Sequence, residues 1–481
     1  MGIMLSVNNL LGQYSELGLS RLETDNSLPQ TILFKADTER AISLLYKFNN
    51  AVFICGNNDE NWIIVETLNK FCRDASGKIL REAFQLDAKK FIKFSGSHTE
   101  VYLKKILGFL EAEREKILLV ITSLEEFAKN ERMVELIHDI VKKPSVPLLG
   151  MTTIEGFRQL ERMPKVSGYL QFILSGKTPQ GNKRDKSVLV IGATSLLGNA
   201  VYHLFSREYS KVRGTGFSKA SSLGFDKLDV TSEEEIRNYF SKYPFFEIII
   251  YIAGEADADV AERERDRARL LNIGAVSIIA RHARNCKFVY ISSEYVFDGS
   301  SGPYGSYSSA HPINYYGQTK LEGEKAALKS FHNALVVRFG ALYGYNGPSD
   351  KNTSVSKLIA SLDKPESLKA DNIQIKHPIL LEDAARTLLK LLDYETEGIY
   401  QTNGPEGLNK QEMAKRIADV RGELLGKKFS YPIVGIEQTG IAAKPIDTHM
   451  VNVDTPRLFE EGVRFLFMKQ KTFKGELTHE H

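Results

Sequence analysis

Val188-Leu189-Val190-Ile191-Gly192-Ala193-Thr194-Ser195-Leu196-Leu197-Gly198 is an apolar run, a glycine turn and the start of a helical period. A continuous Val/Leu/Ile run bounded by glycine reads as a strand buried on both faces of a parallel sheet. A strand, turn and helix of this kind aim helix N-terminal amides at a pyrophosphate, with Gly192 making the turn and Gly198 letting helix and strand pack closely. Ser195 takes the middle position of the G-x-x-G-x-x-G pattern, where its Cβ narrows the phosphate's approach while its hydroxyl offers a donor. Two glycines alone also suit an ordinary βα turn, so the flanking sequence has to decide.

Downstream, strand patterns at 211–216, 247–252 and 287–292 alternate with helix patterns at 232–243 and 263–285. Short connections between them predict a Rossmann-type doubly wound parallel sheet. Upstream, residues 176–187 are polar and contain Gly and Pro, which marks a linker. Residues 29–175 read as a separate α/β domain, with strands at 51–55, 117–121 and 146–151 and helices at 38–48, 62–72, 100–114 and 130–141. Residues 1–28 lack a strong period and read as an N-terminal arm.

Composition bounds the alternatives. The 481 residues are 42% hydrophobic and 26% charged, which excludes disordered, collagenous and low-complexity classes. Lys+Arg 63 against Asp+Glu 60 gives a net charge of +3, too balanced for electrostatics alone to hold nucleic acid or acidic lipid. Cys55, Cys72 and Cys286 lack metal or disulfide spacing, and the ten His show no ligand pattern, so no metal site is expected. There is no apolar run long enough to span a membrane and no secretion pattern, which makes a cytoplasmic protein the expectation. Met1-Gly2 with Ser6 satisfies the loose myristoylation pattern, one short enough to arise by chance.

Tyr316-Gly317-Gln318-Thr319-Lys320 places a phenol and an ammonium four apart on one helical face. An ammonium beside a phenol favours the phenolate, so a lowered Tyr316 pKa and proton exchange with a carbonyl or hydroxyl are expected. Lys320 is also placed to hold a ribose. Upstream, Tyr290-Ile291-Ser292-Ser293-Glu294-Tyr295-Val296-Phe297-Asp298-Gly299 ends an apolar strand in polar residues, where open α/β sheets bind ligands. Ser293 would there hydrogen-bond the reacting oxygen. At other places in a chain, Tyr and Lys at this spacing form an ordinary surface pair.

These motifs, with Pro303-Tyr304, the run from Pro312 to Lys325, Val337-Arg338, Leu342-Tyr343-Gly344, Asp383, Gly398-Ile399-Tyr400, Asn403-Gly404 and Lys444-Pro445, resemble the extended short-chain dehydrogenases/reductases. The similarity lies in the branch holding dTDP-4-dehydrorhamnose reductase and the regulatory β subunit of methionine adenosyltransferase, and it implies a small substrate-binding lobe within 188–481. The resemblance implies that Ser293, Tyr316 and Lys320 form a catalytic set, with hydride passing from a reduced nicotinamide to a keto carbon of a nucleotide-linked deoxysugar. It places Gly192, Thr194, Ser195, Leu196, Leu197, Gly198, Asp229, Val230, Ala253, Tyr316 and Lys320 at the cofactor, and Glu294, Arg338 and Lys444 at the substrate. Asn272 resembles a helix Asn that helps arrange a proton path.

The end of the second strand, Gly214-Thr215-Gly216-Phe217-Ser218-Lys219, offers no carboxylate to ribose hydroxyls, while Lys219 suits a 2′-phosphate. NADPH is therefore expected, with NADH as the second choice. Ser195, the serines 306 and 308, and Lys444 in place of a common Arg are departures from the branch. Lys does not reproduce a bidentate Arg clamp on phosphate. His377 before Pro378 has both a ligand reading and a structural one.

The domain at 29–175 bears a fainter resemblance to the AAA+ module of Clp-type chaperone ATPases, at Pro147-Leu148-Leu149-Gly150-Met151-Thr152-Thr153 through Arg158 and at Lys93-Phe94-Ser95-Gly96. Its chemistry is missing. Gly56-Asn57-Asn58-Asp59-Glu60-Asn61-Trp62-Ile63 has no phosphate-loop Lys and adds two acids, and Leu118-Leu119-Val120-Ile121-Thr122-Ser123 ends without the Mg²⁺-holding acids, which appear later as Glu125 and Glu126. Lys165 to Leu170 lacks an arginine finger. The expectation is a domain without ATP hydrolysis, either AAA-like or an unrelated α/β fold, serving as scaffold or protein-partner surface; a homo-oligomer stays open. Two functions follow: an NADPH-dependent reductase of a nucleotide-linked 4-keto-6-deoxysugar, or a non-catalytic NADP-binding subunit of another enzyme.

Overall fold

The computed structural model describes residues 11, 14–22, 35–55, 60–72, 81–112, 117–129, 133, 135, 137–139, 146–176, 183–218, 220–283, 285–345, 353–362, 368–426, 433–436 and 440–473. The Met1-Gly2 pattern, most of the expected arm, Gly56 to Asp59, residues 177–182 and Lys219 lie outside them. The chain divides into two compact units, Met1–Thr178 with Val451–Thr455, and Pro179–Met450 with Pro456–His481.

The first unit carries β1 (Leu19–Leu22), β2 (Asn50–Ile54), β3 (Glu82–Asp87), β4 (Ile117–Thr122), β5 (Leu148–Thr152) and β6 (Phe172–Leu174). Their order is β1-β3-β4-β5-β2-β6, parallel except for the antiparallel edge β1. Strands β2, β4 and β5 are buried along their whole length, as continuous apolar runs require. Part of the expected arm is thus a sheet edge: Leu19 is buried while Ser20 and Arg21 face outward. The unit also takes in Val451–Thr455, which the sequence places in the second domain. Asp454 accepts from Arg40 Nη2 at 2.7 Å and Leu174 N at 3.1 Å, and Thr455 N donates to Phe172 O at 2.5 Å.

In the second unit β7 (Arg184–Ile191), β8 (Tyr209–Gly216), β9 (Asp226–Lys227), β10 (Ile248–Tyr251), β11 (Lys287–Ser293), β12 (Leu335–Phe339) and β16 (Gly398–Thr402) form one sheet. The order is β16-β12-β11-β10-β7-β8-β9, parallel throughout. This is the expected Rossmann-type sheet. Strand β7 begins inside the expected linker because Arg184 ties it down, to Glu208 at 2.6 Å and to Asp393 at 3.0 and 2.8 Å. The single helix expected at 263–285 is broken instead into Arg265–Arg269, a π turn Leu270–Gly274 and Ala275–His282.

A small lobe completes the unit, with paired β13 (Leu342–Tyr343) and β15 (Ile379–Leu380), paired β14 (Leu368–Asp371) and β17 (Ile433–Ile436), and the helices Ser354–Ser361, Lys410–Leu425 and Phe459–Phe473. Its core includes Tyr343, Leu358, Met413, Ile417, Val463 and Leu466. Each such buried side chain contributes about 1.5–3 kcal/mol.

Candidate functional site

Strand order turns back between β7 and β10, so the crevice beyond their carboxyl ends is where such sheets hold ligands. A cleft of about 1080 Å³ lies there, lined by the ends of β7, β8, β10 and β11, the helix Tyr315–Ser330 and the lobe. Among the described residues no His, Cys, Asp and Glu cluster suits a metal, and no helix is long and apolar enough to cross a membrane.

The fingerprint turn is built as a tight cradle. Gly192 has φ +93°, and a Cβ on it would stand 2.6 Å from Ala253 N; one on Gly198 would stand 2.0 Å from Gly192 O. Ser195 caps the helix Leu196–Glu208: its Oγ accepts from Gly198 N at 3.1 Å and donates to Gly192 O at 2.8 Å. Its hydroxyl hydrogen is therefore engaged within the turn, in contrast to the donor role toward phosphate considered from the sequence. Thr194, Ser195, Leu196 and Leu197 line the cleft, as do Ala253, Asp229 and Val230. The Asp229 carboxylate accepts from Thr231 N and Oγ1 at 2.8 and 2.6 Å, which fixes the turn after β9. No carboxylate stands at Gly216, Phe217 or Ser218.

Ser293, Tyr316 and Lys320 come together on the cleft wall. Asn314 caps the helix Tyr315–Ser330 by accepting from Gly317 N at 2.8 Å, and Gly317 permits close docking, since a Cβ there would stand 2.1 Å from Tyr295 O. Burial pushes the Tyr316 phenol well above its ordinary value; the neighbouring Ser293 hydroxyl opposes this and Tyr295, Glu294 and Glu255 reinforce it. The expected lowering is not present because desolvation of the phenolate dominates and Lys320 donates to Ile291 O at 2.8 Å. Burial pulls Lys320 itself down to about 8, with Glu324 pulling the other way.

Asn272 sits in the π turn, donating from Nδ2 to Thr319 Oγ1 at 2.9 Å and accepting from Tyr290 Oη at its backbone oxygen at 3.0 Å. Its buried Oδ1 has no hydrogen-bond partner among the described residues. Gly254 lies beside it, where a Cβ would meet Oδ1 at 2.5 Å and Lys320 Nζ at 3.4 Å.

Arg338 departs from its expected substrate role. It is 2% exposed and pairs bidentately with Glu324, itself 1% exposed, through Nε at 2.8 Å and Nη2 at 2.7 Å. Ser292 Oγ donates to the same carboxylate at 2.5 Å, so the ion pair braces β11, β12 and the helix Tyr315–Ser330 behind the cleft. Glu324 lies one turn beyond Lys320, a spacing that gave the only sequence hint of it.

Glu294 and Lys444 line the lobe side of the cleft. Glu294 is fully buried, and burial raises its pKa. Lys444 stands 3.9 Å from Asp259. His377 takes its structural reading: it is 4% exposed, with Nε2 3.0 Å from Asp447, Nδ1 3.3 Å from Gly404 O and its ring stacked on His449. Sequence reasoning missed Lys357 and Lys376 on the same wall.

The model of the RmlD substrate binding domain matches residues 186–460. The chain belongs to this family. Methionine adenosyltransferase 2 subunit beta of Xenopus laevis is 34% identical over 245 residues, 49% of this chain and 72% of that protein. The probable low-salt glycan biosynthesis reductase Agl14 of Haloferax volcanii is 26% identical over 239 residues, 48% of this chain and 79% of that protein. Among solved structures, dTDP-4-dehydrorhamnose reductase from Bacillus anthracis in complex with NADP is similar with a TM-score of 0.51 and 26% identity, covering 60% of this chain and 100% of that one.

Proposed function

We propose that the second unit is an NADPH-dependent reductase of a nucleotide-linked 4-keto-6-deoxysugar. The observation that carries this reading is the joining of Ser293, Tyr316 and Lys320 on one wall of a cleft whose opposite end is a dinucleotide turn. The cradle fits the cofactor: Gly192 leaves no room for a side chain, and the end of β8 brings no carboxylate against a 2′-phosphate. Gly192, Thr194, Ser195, Leu196, Leu197 and Gly198 would hold the pyrophosphate, Asp229 and Val230 the adenine end, and Lys219 the 2′-phosphate. NADPH, when bound, supplies hydride to the carbonyl carbon. Tyr316 delivers the proton to the carbonyl oxygen and Ser293 hydrogen-bonds that oxygen. Lys320 keeps a positive charge beside them, and the raised phenol pKa keeps Tyr316 protonated until the oxygen takes up charge.

A second reading, an NADP-binding subunit of another enzyme, has its support in the 34% identity to methionine adenosyltransferase 2 subunit beta. Loss of NADPH absorbance with a panel of nucleotide-linked 4-keto-6-deoxysugars tests the first reading. NADPH binding without turnover on any of them favours the second.

The first unit is proposed as a non-hydrolysing, AAA-like scaffold or protein-partner surface. Glu125 accepts from Thr152 Oγ1 at 2.8 Å and Glu126 pairs with Lys129 at 2.7 Å, so both acids beyond β4 already have intramolecular roles. ATP hydrolysis by the full chain above background would refute this.

A further inference from the structure

Two buried phenols of the second unit have no part in the chemistry above. Tyr251 and Tyr290 face each other across β10 and β11, with ring centroids 6.1 Å apart and planes 9° from parallel, and they are 1% and 0% exposed. Their hydroxyls donate to consecutive carbonyls of the π turn Leu270–Gly274: Tyr251 Oη to Leu271 O at 2.6 Å and Tyr290 Oη to Asn272 O at 3.0 Å. Burial raises both phenols above their ordinary value, so each remains a donor at neutral pH. A phenylalanine pair would fill the same space with no hydroxyl to satisfy, so the two oxygens serve the turn.

That turn is part of the cleft. Ala275 N bonds Leu270 O, the longer span of a π turn, a form frequent at functional sites. Leu270 and Leu271 line the cleft, whereas neither tyrosine does. Asn272, 0% exposed, donates from Nδ2 to Thr319 Oγ1 at 2.9 Å and to Glu255 O at 3.3 Å. Its unpartnered Oδ1 is turned toward Lys320, since a single Cβ on Gly254 would meet both Oδ1 and Lys320 Nζ. Thr319 Oγ1 in turn donates to Tyr316 O at 2.9 Å. Tyr290 reaches the same lysine from below, with Lys320 Nζ 5.0 Å from its ring centroid. A Cβ on Gly323 would stand 2.1 Å from Tyr290 Oη and 2.4 Å from Asn272 O, so the helix carrying Tyr316 and Lys320 packs against the phenol's hydrogen bond.

We infer that Tyr251 and Tyr290 are positioning residues of the proposed reduction: through the π turn they fix where Asn272 Oδ1, Leu270 and Leu271 stand against Lys320 and the cleft. The resemblance assigns Asn272 to a proton path and leaves open what aims it; the inference rests on the reductase reading. The test measures kcat, KM and NADPH affinity of the full chain, below the melting temperature of each variant. Tyr290→Phe should lower kcat about tenfold and Tyr251→Phe/Tyr290→Phe about a hundredfold, the scale of a misplacement of about 1 Å, with KM and NADPH affinity held within about twofold. Because the phenol acts through Asn272, Tyr290→Phe should add no loss to that of Asn272→Ala. Tyr239→Phe removes another buried phenol's bond, to Asp226 at 3.0 Å outside the cleft lining, and should lower the melting temperature with kcat unchanged.

An unchanged kcat in the double tyrosine variant, or losses that multiply in full when Tyr290→Phe is joined to Asn272→Ala, overturns the inference. If the unmodified chain turns over no keto sugar, the reductase reading falls, and hydrogen exchange decides whether the tyrosines hold the turn. Exchange across Leu270–Gly274 about tenfold faster in the double tyrosine variant, with the fingerprint turn unaltered, supports that hold. Unaltered exchange across Leu270–Gly274 overturns it.

Discussion

Replacing Arg338 with Met would leave the Glu324 carboxylate, 1% exposed, with Ser292 Oγ at 2.5 Å and no cation against it. Removing one partner of a buried pair costs about 3–5 kcal/mol, whereas replacing both by apolar groups is often close to neutral. At about 2–4 °C per kcal/mol for a domain of this size, Arg338→Met should lower the melting temperature of the second unit by roughly 6–20 °C. Arg338→Met/Glu324→Leu should recover most of that loss. Thermal unfolding of the full chain followed by near-ultraviolet circular dichroism reads the effect, and titration with dTDP at low temperature reads the folded fraction's affinity. Because Arg338 lies behind the wall, that affinity should stay within about twofold of the unmodified chain, far below the change that loss of a charged hydrogen bond brings. A variant that melts normally but no longer binds dTDP would refute the bracing role and return Arg338 to the ligand.

Other expectations follow from the same geometry. Gly192→Ala forces a side chain onto φ +93° with a Cβ 2.6 Å from Ala253 N; the strain, of order 1–3 kcal/mol, should appear as a melting-temperature loss together with weaker NADPH binding by fluorescence titration. Ser195→Ala removes the cap on Gly198 N and should cost about 1 kcal/mol in urea unfolding, whereas Ser195→Gly should cost a few tenths and bind NADPH at least as tightly. Lys320 loses its proton as pH rises through about 8, so kcat/KM should hold below that pH and fall above it. Glu324 raises the Lys320 pKa, so Glu324→Gln should move the limb to lower pH.

The Rossmann-type sheet was readable because each of its signals is local: an apolar strand, a glycine turn and a helix following within one short stretch. The Tyr316 and Lys320 pairing was readable for the same reason, since helical spacing alone puts them on one face. Other elements depend on distant partners. Among the described residues strand β1 pairs with β3 alone, and β6 is three residues long. The π turn at Leu270–Gly274 inserts into an otherwise regular helical pattern. Arg338 misled because its motif position says nothing of Glu324, fourteen residues away and on another element. Lys357, Lys376 and Lys444 come from separate segments, so only the fold brings them to the cleft. The phenol's raised pKa is likewise a property of burial, which residue spacing does not encode.

Tyr316 is assigned here as the proton donor of a reductase. The most direct measurement compares the unmodified chain with Tyr316→Phe for NADPH affinity and for NADPH consumption with nucleotide-linked 4-keto-6-deoxysugars. The unmodified chain should turn over at least one such sugar, with NADPH affinity preserved in the variant and its turnover about 10²–10⁴-fold lower. Turnover that survives Tyr316→Phe unchanged would contradict the assigned donor, and NADPH binding with no turnover by the unmodified chain would contradict the reductase itself.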